Sequence, residues 1–301
     1  VQWQDRFGQI TYPGISDAEL ATLDALPAKI LEGLNQQLTP LLPELTDQER
    51  NALFQRTILA NPLSPTINLN ALFSHLAGDV ERQQQLQQRS LAVMQTLLAE
   101  AEASGQRGCF FLHLAPNLGS SDGVELPKPA APGNVGTTDV QFMLRGAVKE
   151  AGLLALINDH IARRTGTAPL GADFNARSAP IGHTELLELC QRSIPVEHMP
   201  VLVGVGDTIT SEPDGQGGWR RGGSDRGFLT LLQELGNAFG RQNRVVLVDS
   251  SAGEVDRPSL QHPELKGLSD PDDPLKPDVL VPGGPDAYVA WFEQLANELG
   301  S

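Results

Sequence analysis

The sequence predicts an α/β protein, a Rossmann-like parallel-sheet core joined to a helix-rich α+β region. Three observations predict it. The runs "MPVLVGVGD", "RVVLVDSS" and "DVLVPGG" are short, β-branched and separated by helical patterns, the rhythm of a parallel sheet with crossovers. From Ser16 to about Ser104 the apolar spacing is helical instead. Between the two regimes lies "APNLGSSDGVELPKPAAPGNVG" (115–136), a Pro- and Gly-rich loop long enough to be functional or mobile.

At the N-terminus, "VQWQDRFGQITYPG" reads as a short hairpin turning at Asp5–Gly8 and closed by Pro13-Gly14. Ser16 with Glu19 is a capping box for the first helix, and Leu20, Leu23, Ile30, Leu31 and Leu34 recur at helical spacing. Pro27 is expected to kink or split that helix. Thr46 with Glu49 marks a second helix start, and "VERQQQLQQRSLAVMQTLLAEAEAS" is a long amphipathic helix whose Gln run is read as a solvated face. "GCFFLHL" and "DVQFML" are strands, "VKEAGLLALINDHIARR" is a helix, and further helices are expected at about 225–239 and 286–299. There is no internal repeat.

With 301 residues and a normal apolar share, the chain can bury a sizeable core. Its net charge of −15 argues against nucleic acid and anionic membrane as partners. Two cysteines, Cys109 and Cys190, make no disulfide framework, so a reducing, cytoplasmic compartment is expected. No apolar run approaches the ~18 residues of a membrane span.

The chemistry centres on "GVGDTITSEPDGQGGWRRGGSDRGFLTLL" (204–232). Asp207 ends an apolar strand, where ligands gather in open α/β sheets, and its carboxylate suits Mg²⁺. Gly204 and Gly206 would admit a close approach by chain or ligand. Asp225 opens the next helix; Ser224 as N-cap and the helix dipole explain it alone, but paired with Asp207 it reads as a second metal-site acid. The intervening residues read as a hairpin flap turning at Pro213-Asp214-Gly215, with Trp219, Arg220 and Arg221 near its tip. Arg grips phosphate bidentately and Trp stacks on a sugar; a solvated loop is the plain alternative. Lys149 sits at a helix start, which disfavours a cation unless a phosphate or an acidic neighbour offsets it. His183, Cys190 and His198 lack zinc-site spacing. His113 reads as a satisfied core residue, and "GSSDG" (119–123) as plain loop. "GGSDRG" misses the G-x-S-x-G elbow by one residue, and no G-x-x-x-x-G-K-[ST] loop exists.

In order and spacing, Lys149, Asp207 and Asp225 resemble the haloacid dehalogenase-like phosphatases with an inserted cap. "VKEAGLLALI" is similar to their lysine motif, and "GVGD…GGSDRGFL" to their metal-binding acid motif, here split by the flap. "DVLVPGGPDAYVAWFEQLA" resembles the last strand and helix of that core. Within the superfamily, "VQWQDRFG", "LAPNLG", "GTTDVQFMLRGAVKEAG", "VGVGDTITS", "RRGGSDR" and "VDSSAGEV" resemble the glucosylglycerol-phosphate phosphatase family, over nearly the whole chain.

The resemblance implies a hairpin at 1–13, a cap at 14–137 and a phosphatase core at 138–301. It implies a Mg²⁺-dependent phosphatase of glucosylglycerol 3-phosphate in osmolyte synthesis. Lys149 would be catalytic and Asp207 and Asp225 would hold the metal. Arg145, Thr208, Ser224, Trp219 and Arg221 join them as candidate substrate contacts. Another sugar phosphate (of sucrose or trehalose) is the alternative substrate, and a non-catalytic sugar-phosphate-binding protein the alternative class. The synthase that makes the phosphate ester is an expected partner. One departure stands out: the superfamily's nucleophile is the first Asp of a strand-end D-x-D, and this sequence has none. The nucleophile is therefore expected upstream of Val1, leaving a truncated chain that is inactive alone and lacks the first strand of its sheet.

Overall fold

A computed structural model describes residues 3–4, 8, 10–121, 124–250 and 272–300. The backbone divides into two compact units: residues 15–145, and residues 1–14 with 146–301. β1 (Trp3–Gln4) and β2 (Ile10–Thr11) pair antiparallel as the expected hairpin, though its turn, with residues 5–7 and 9, lies outside the described residues.

The unit 15–145 opens with α1 (Asp17–Leu38), capped by the Ser16–Glu19 box in both directions. Pro27 does not break it: α1 runs on to Leu38, because Leu23, Leu26, Ile30, Leu34 and Leu38 form one buried stripe on both sides of the proline. Then come α2 (Asp47–Thr57), with its Thr46–Glu49 box, β3 (Ile58–Leu59), β4 (Thr66–Asn68), α3 (Asn70–His75) and α4 (Val80–Ala101). α1 and α4 approach closely at Gly33, where a Cβ would lie 2.6 Å from the Val93 side chain. β5 (Phe110–Ala115), β6 (Asn117–Ser121), β7 (Val124–Pro127) and β8 (Asp139–Leu144) complete the unit. β6 and β7 form a hairpin, so part of the expected long loop, including Ser120 and Ser121, is strand; Asp122 and Gly123 lie outside the described residues. β3, β4, β8 and β5 form an antiparallel sheet in that order. β8 alternates, burying Val140, Phe142 and Leu144. Its pairing places 139–144 in this unit, so the parallel-sheet unit resumes at Gly146 rather than at 138. The Gln run is not a solvated face throughout. Gln83 and Gln87 are buried, because their amides bond backbone carbonyls: Gln83 those of Phe73 and Leu76 at the end of α3, and Gln87 those of Lys128, Val135 and Thr137.

The second unit continues with α5 (Lys149–Thr165), α6 (His183–Ser193), β9 (Val203–Gly206), β10 (Thr210–Pro213), β11 (Trp219–Gly222), α7 (Arg226–Phe239), β12 (Arg244–Val248), β13 (Val279–Val281) and α8 (Gly284–Gly300). β13, β12 and β9 form a parallel sheet in that order. β12 is apolar at successive positions because both of its faces are covered. Val245 and Leu247 pack with Leu229 and Leu232 of α7, while Val246 and Val248 pack with Trp291 and Phe292 of α8. α5, α6 and α7 share a core built on Leu154, Ile157, Leu186, Cys190, Leu231 and Leu235. Burial there pushes the Cys190 thiol up to about 12, which makes it a small apolar core residue. The mixed α/β architecture agrees with the predicted fold class. Among the described residues no helix is long and apolar enough to cross a membrane.

Candidate active site

β9 ends at Gly206, and Asp207 follows it at the carboxyl edge of the parallel sheet. The strand's two glycines are explained by the chain itself. A Cβ on Gly204 would lie 2.9 Å from both Leu229 and Leu232, and one on Gly206 2.9 Å from the Cβ of Asp225. α7 is thereby pressed against β9, and Asp225 at its start is brought beside Asp207.

Asp225 itself stands in the N-cap position of α7, one residue later than the Ser224 cap expected, and its side chain makes no cap bond. It reaches across instead. The N–H groups of Asp207 and Thr208 donate to its Oδ2 at 2.8 and 2.9 Å, and Lys149 Nζ ion-pairs with its Oδ1. Its own N–H donates to Thr208 O at 3.0 Å. Gly223 makes this crossing possible: its φ is +97°, and a Cβ there would lie 2.5 Å from Thr208 O. Thr208 Oγ1 donates to Asp207 Oδ1 at 2.7 Å.

Lys149 is the first residue of α5. Its unfavourable position at the positive helix end is offset by Asp225, whose side chain is 5% exposed while that of Lys149 is 53% exposed. The ammonium lies 5.9 Å from the centroid of the Phe228 ring. An ammonium has three donors, so one can hold Asp225 while others face solvent or a ligand.

The flap is a hairpin, β10 against β11, pairing Thr210 with Gly222 and Pro213 with Trp219. Its tip is organised by Asp214, whose Oδ1 accepts from the N–H groups of Gln216 and Gly218 at 2.7 and 2.9 Å. These donors hold the Asp214 carboxyl below the usual carboxylate range. The tip therefore keeps this bracing at neutral pH and loses it only as pH falls through that lowered value. Trp219, partly exposed, starts the returning strand rather than crowning the tip.

The root of the flap is fixed by Arg226. It pairs with buried Asp273 through both terminal nitrogens, each at 2.8 Å, and donates to Thr210 O at 2.9 Å and Gly222 O at 3.1 Å. Both strands of the flap are so tied to the residue after Asp225. Arg221 Nε lies 3.9 Å from the same carboxylate.

The structure thus brings Lys149, Asp207, Thr208 and Asp225 together, with Ser224, Trp219 and Arg221 on the adjoining flap and turn. Arg145 is the exposed residue after β8 in the other unit. His113 is half-buried and faces Glu125 Oε1 at 2.8 Å, rather than sitting in the core. Sequence reasoning missed Arg226 and Asp273, whose partnership spans a long stretch of chain and left no local signal. It also passed over Asp249, 2% exposed, which follows β12 as Asp207 follows β9 and accepts from Gly283 N–H at 3.3 Å. The same strand-end acid pattern in "RVVLVDSS" would have found it.

The donor set beside Asp207 is all oxygen, as a hard cation requires. Asp225 has one oxygen on Lys149 and the other on two amides, so it suits support of a metal ligand better than direct ligation. Among the described residues no cluster of three or more His, Cys, Asp or Glu could cage a metal. The set fits Mg²⁺, which takes one or two carboxylates and keeps several waters.

Comparison with known proteins identifies the family of the chain. No solved structure matches the chain. It is 44% identical over 310 residues to the glucosylglycerol-phosphate phosphatase of Synechocystis sp., an alignment covering 99% of this chain and 74% of that protein. The family model described as glucosylglycerol-phosphate phosphatase matches residues 1–296. The chain belongs to the glucosylglycerol-phosphate phosphatase family.

Proposed function

We propose that the protein hydrolyses the phosphate ester of glucosylglycerol, releasing glucosylglycerol and inorganic phosphate. The observation that carries the site assignment is the bracket at Asp225. One buried carboxylate orients the Asp207–Thr208 backbone and holds the Lys149 ammonium. A cation held at the carboxyl edge of a parallel sheet is where a phosphoryl group gains from it. Lys149 neutralises charge on the transferring phosphoryl oxygens, and Asp225 fixes its ammonium while leaving it half exposed. Asp207 would hold Mg²⁺, which would supply positive charge to offset the negative charge of the phosphoryl group. Thr208 fixes the Asp207 carboxylate through its hydroxyl. Neither acid is assigned the attack on phosphorus. Asp207 would be occupied by the metal, and Asp225 is enclosed by its three partners.

The flap, rooted through Arg226 beside Asp225, offers Trp219 and Arg221 to the remote part of the substrate. Contacts made there raise affinity for the glycoside over small phosphate esters. The test is phosphate release by the full-length protein from glucosylglycerol 3-phosphate, with and without Mg²⁺. Release that requires Mg²⁺ and fails in Lys149→Ala supports the reading. No release from this ester, or release indifferent to Lys149, refutes it.

A further inference from the structure

In the unit 15–145, a cluster of glutamine amides lies on α4. Gln87 is buried and fully engaged. Its Nε2 donates to the carbonyls of Lys128, Val135 and Thr137 at 3.2, 3.0 and 2.8 Å, and its Oε1 accepts from Ala130 N–H at 2.9 Å. Thr137 Oγ1 adds bonds to Lys128 N–H and Pro116 O. Together they fix the segment 127–137 against α4 as a preformed wall.

Between this wall and α4 lies a pocket of about 310 Å³. That volume is within the range of small-molecule sites. Its floor is apolar, from Leu69, Leu114 and Val140, and the rings of Pro127 and Pro129 line it. Gln84 and Gln88 supply amides. The Nε2 of Gln84 donates one of its two hydrogens to Ala130 O at 2.7 Å. Among the described residues, nothing bonds the Oε1 of Gln84 or the amide of Gln88. No residue lining the pocket is charged.

We propose that this pocket binds an uncharged, polyhydroxylated small molecule, namely a glycoside of the size of the dephosphorylated product. A carbohydrate ring has C–H faces that match Leu and Pro surfaces, and hydroxyls that both donate and accept. Amides left open over an apolar floor meet both needs. A phosphate dianion finds no cation here, and leaving its charge unpaired at an apolar wall is costly. The pocket therefore distinguishes product from substrate by the absence of charge. It gives the protein a place to sense the neutral glycoside that it makes. The identity of that glycoside rests on the function proposed above.

The experiment is calorimetric titration of glucosylglycerol into the full-length protein, wild type and variants, with phosphate release measured on the same preparations. Leu91→Trp fills the pocket from α4 and is expected to weaken binding by at least about tenfold. Gln88→Ala, an exposed position that does not threaten folding, is expected to weaken it about fivefold through one lost hydrogen bond. Asp207→Asn is expected to leave binding unchanged. Absence of saturable binding overturns the proposal, as does binding that survives both pocket substitutions or disappears with Asp207→Asn. Failure of phosphate release in the wild type would instead refute the catalytic reading, because the titration does not depend on turnover.

Discussion

Gln87 and Asp225 do the same structural work in different units, and the difference lies in charge. Each is a buried side chain that gathers backbone from a distant loop. Gln87 faces mostly carbonyls, so it is an amide with hydrogens to give. Asp225 faces two N–H groups and an ammonium, so it is an acid with lone pairs to give. The neutral bracket leaves an uncharged pocket beside it. The charged one leaves a cation and an acid at the sheet edge, which suits phosphate and metal. What backbone a buried polar residue must satisfy therefore sets what its surroundings can bind.

Substitutions that change charge without changing shape break this comparison most sharply. Asp207→Asn keeps the volume but removes the charged oxygen proposed to hold Mg²⁺. Phosphate release is expected to fall about 10³-fold, the several kcal/mol a bound metal supplies, with the residual rate no longer responding to Mg²⁺ concentration. Retention of both rate and Mg²⁺ dependence would remove Asp207 from the site. Lys149→Ala is expected to lower turnover about 10²-fold while changing unfolding free energy by less than about 1 kcal/mol, since its ammonium is half in solvent. A fall in melting temperature with turnover intact would reduce the pair to a structural role.

The amide bracket makes the converse prediction. Gln87→Glu sets a carboxylate against three carbonyls and is expected to destabilise the protein by about 3 kcal/mol at neutral pH. Protonation lets the new carboxyl donate, so the loss should shrink as pH falls into the carboxylate range. Denaturant titrations at several pH values measure this, and a pH-independent ΔΔG would contradict the bracket. The smallest effect is expected at the flap. Shortening 212–220 to a tight turn should raise the Michaelis constant for the glycoside about tenfold, and that for a small phosphate ester less. Equal losses on both would place the damage at Asp207 and Asp225.

Much of this was legible beforehand because it was local. The capping boxes at Ser16 and Thr46, the strand "VGVGD", the flap turn at Asp214 and Lys149 at a helix start all declare themselves within a few residues. The misreadings are non-local. Pro27 stays helical because packing on either side overrides its local cost. Gln83 and Gln87 look solvated until the backbone they serve is in place. β3 and β4 are too short to show a period, and α6 went unread although Leu186 and Cys190 bury one helical face. Spacing could bring Asp207 and Asp225 together, but not show that Asp225 is occupied by Lys149 and two amides.

We propose that the charged bracket at Asp225 serves the hydrolysis of a glucosylated phosphate ester. Its most direct measurement is phosphate release by the full-length protein, in Mg²⁺, from glucosylglycerol 3-phosphate beside the phosphates of sucrose and trehalose, each with wild type and Lys149→Ala. The account predicts fastest release from glucosylglycerol 3-phosphate, with every rate lowered by the substitution. Preference for another sugar phosphate, or rates untouched by loss of Lys149, would contradict it.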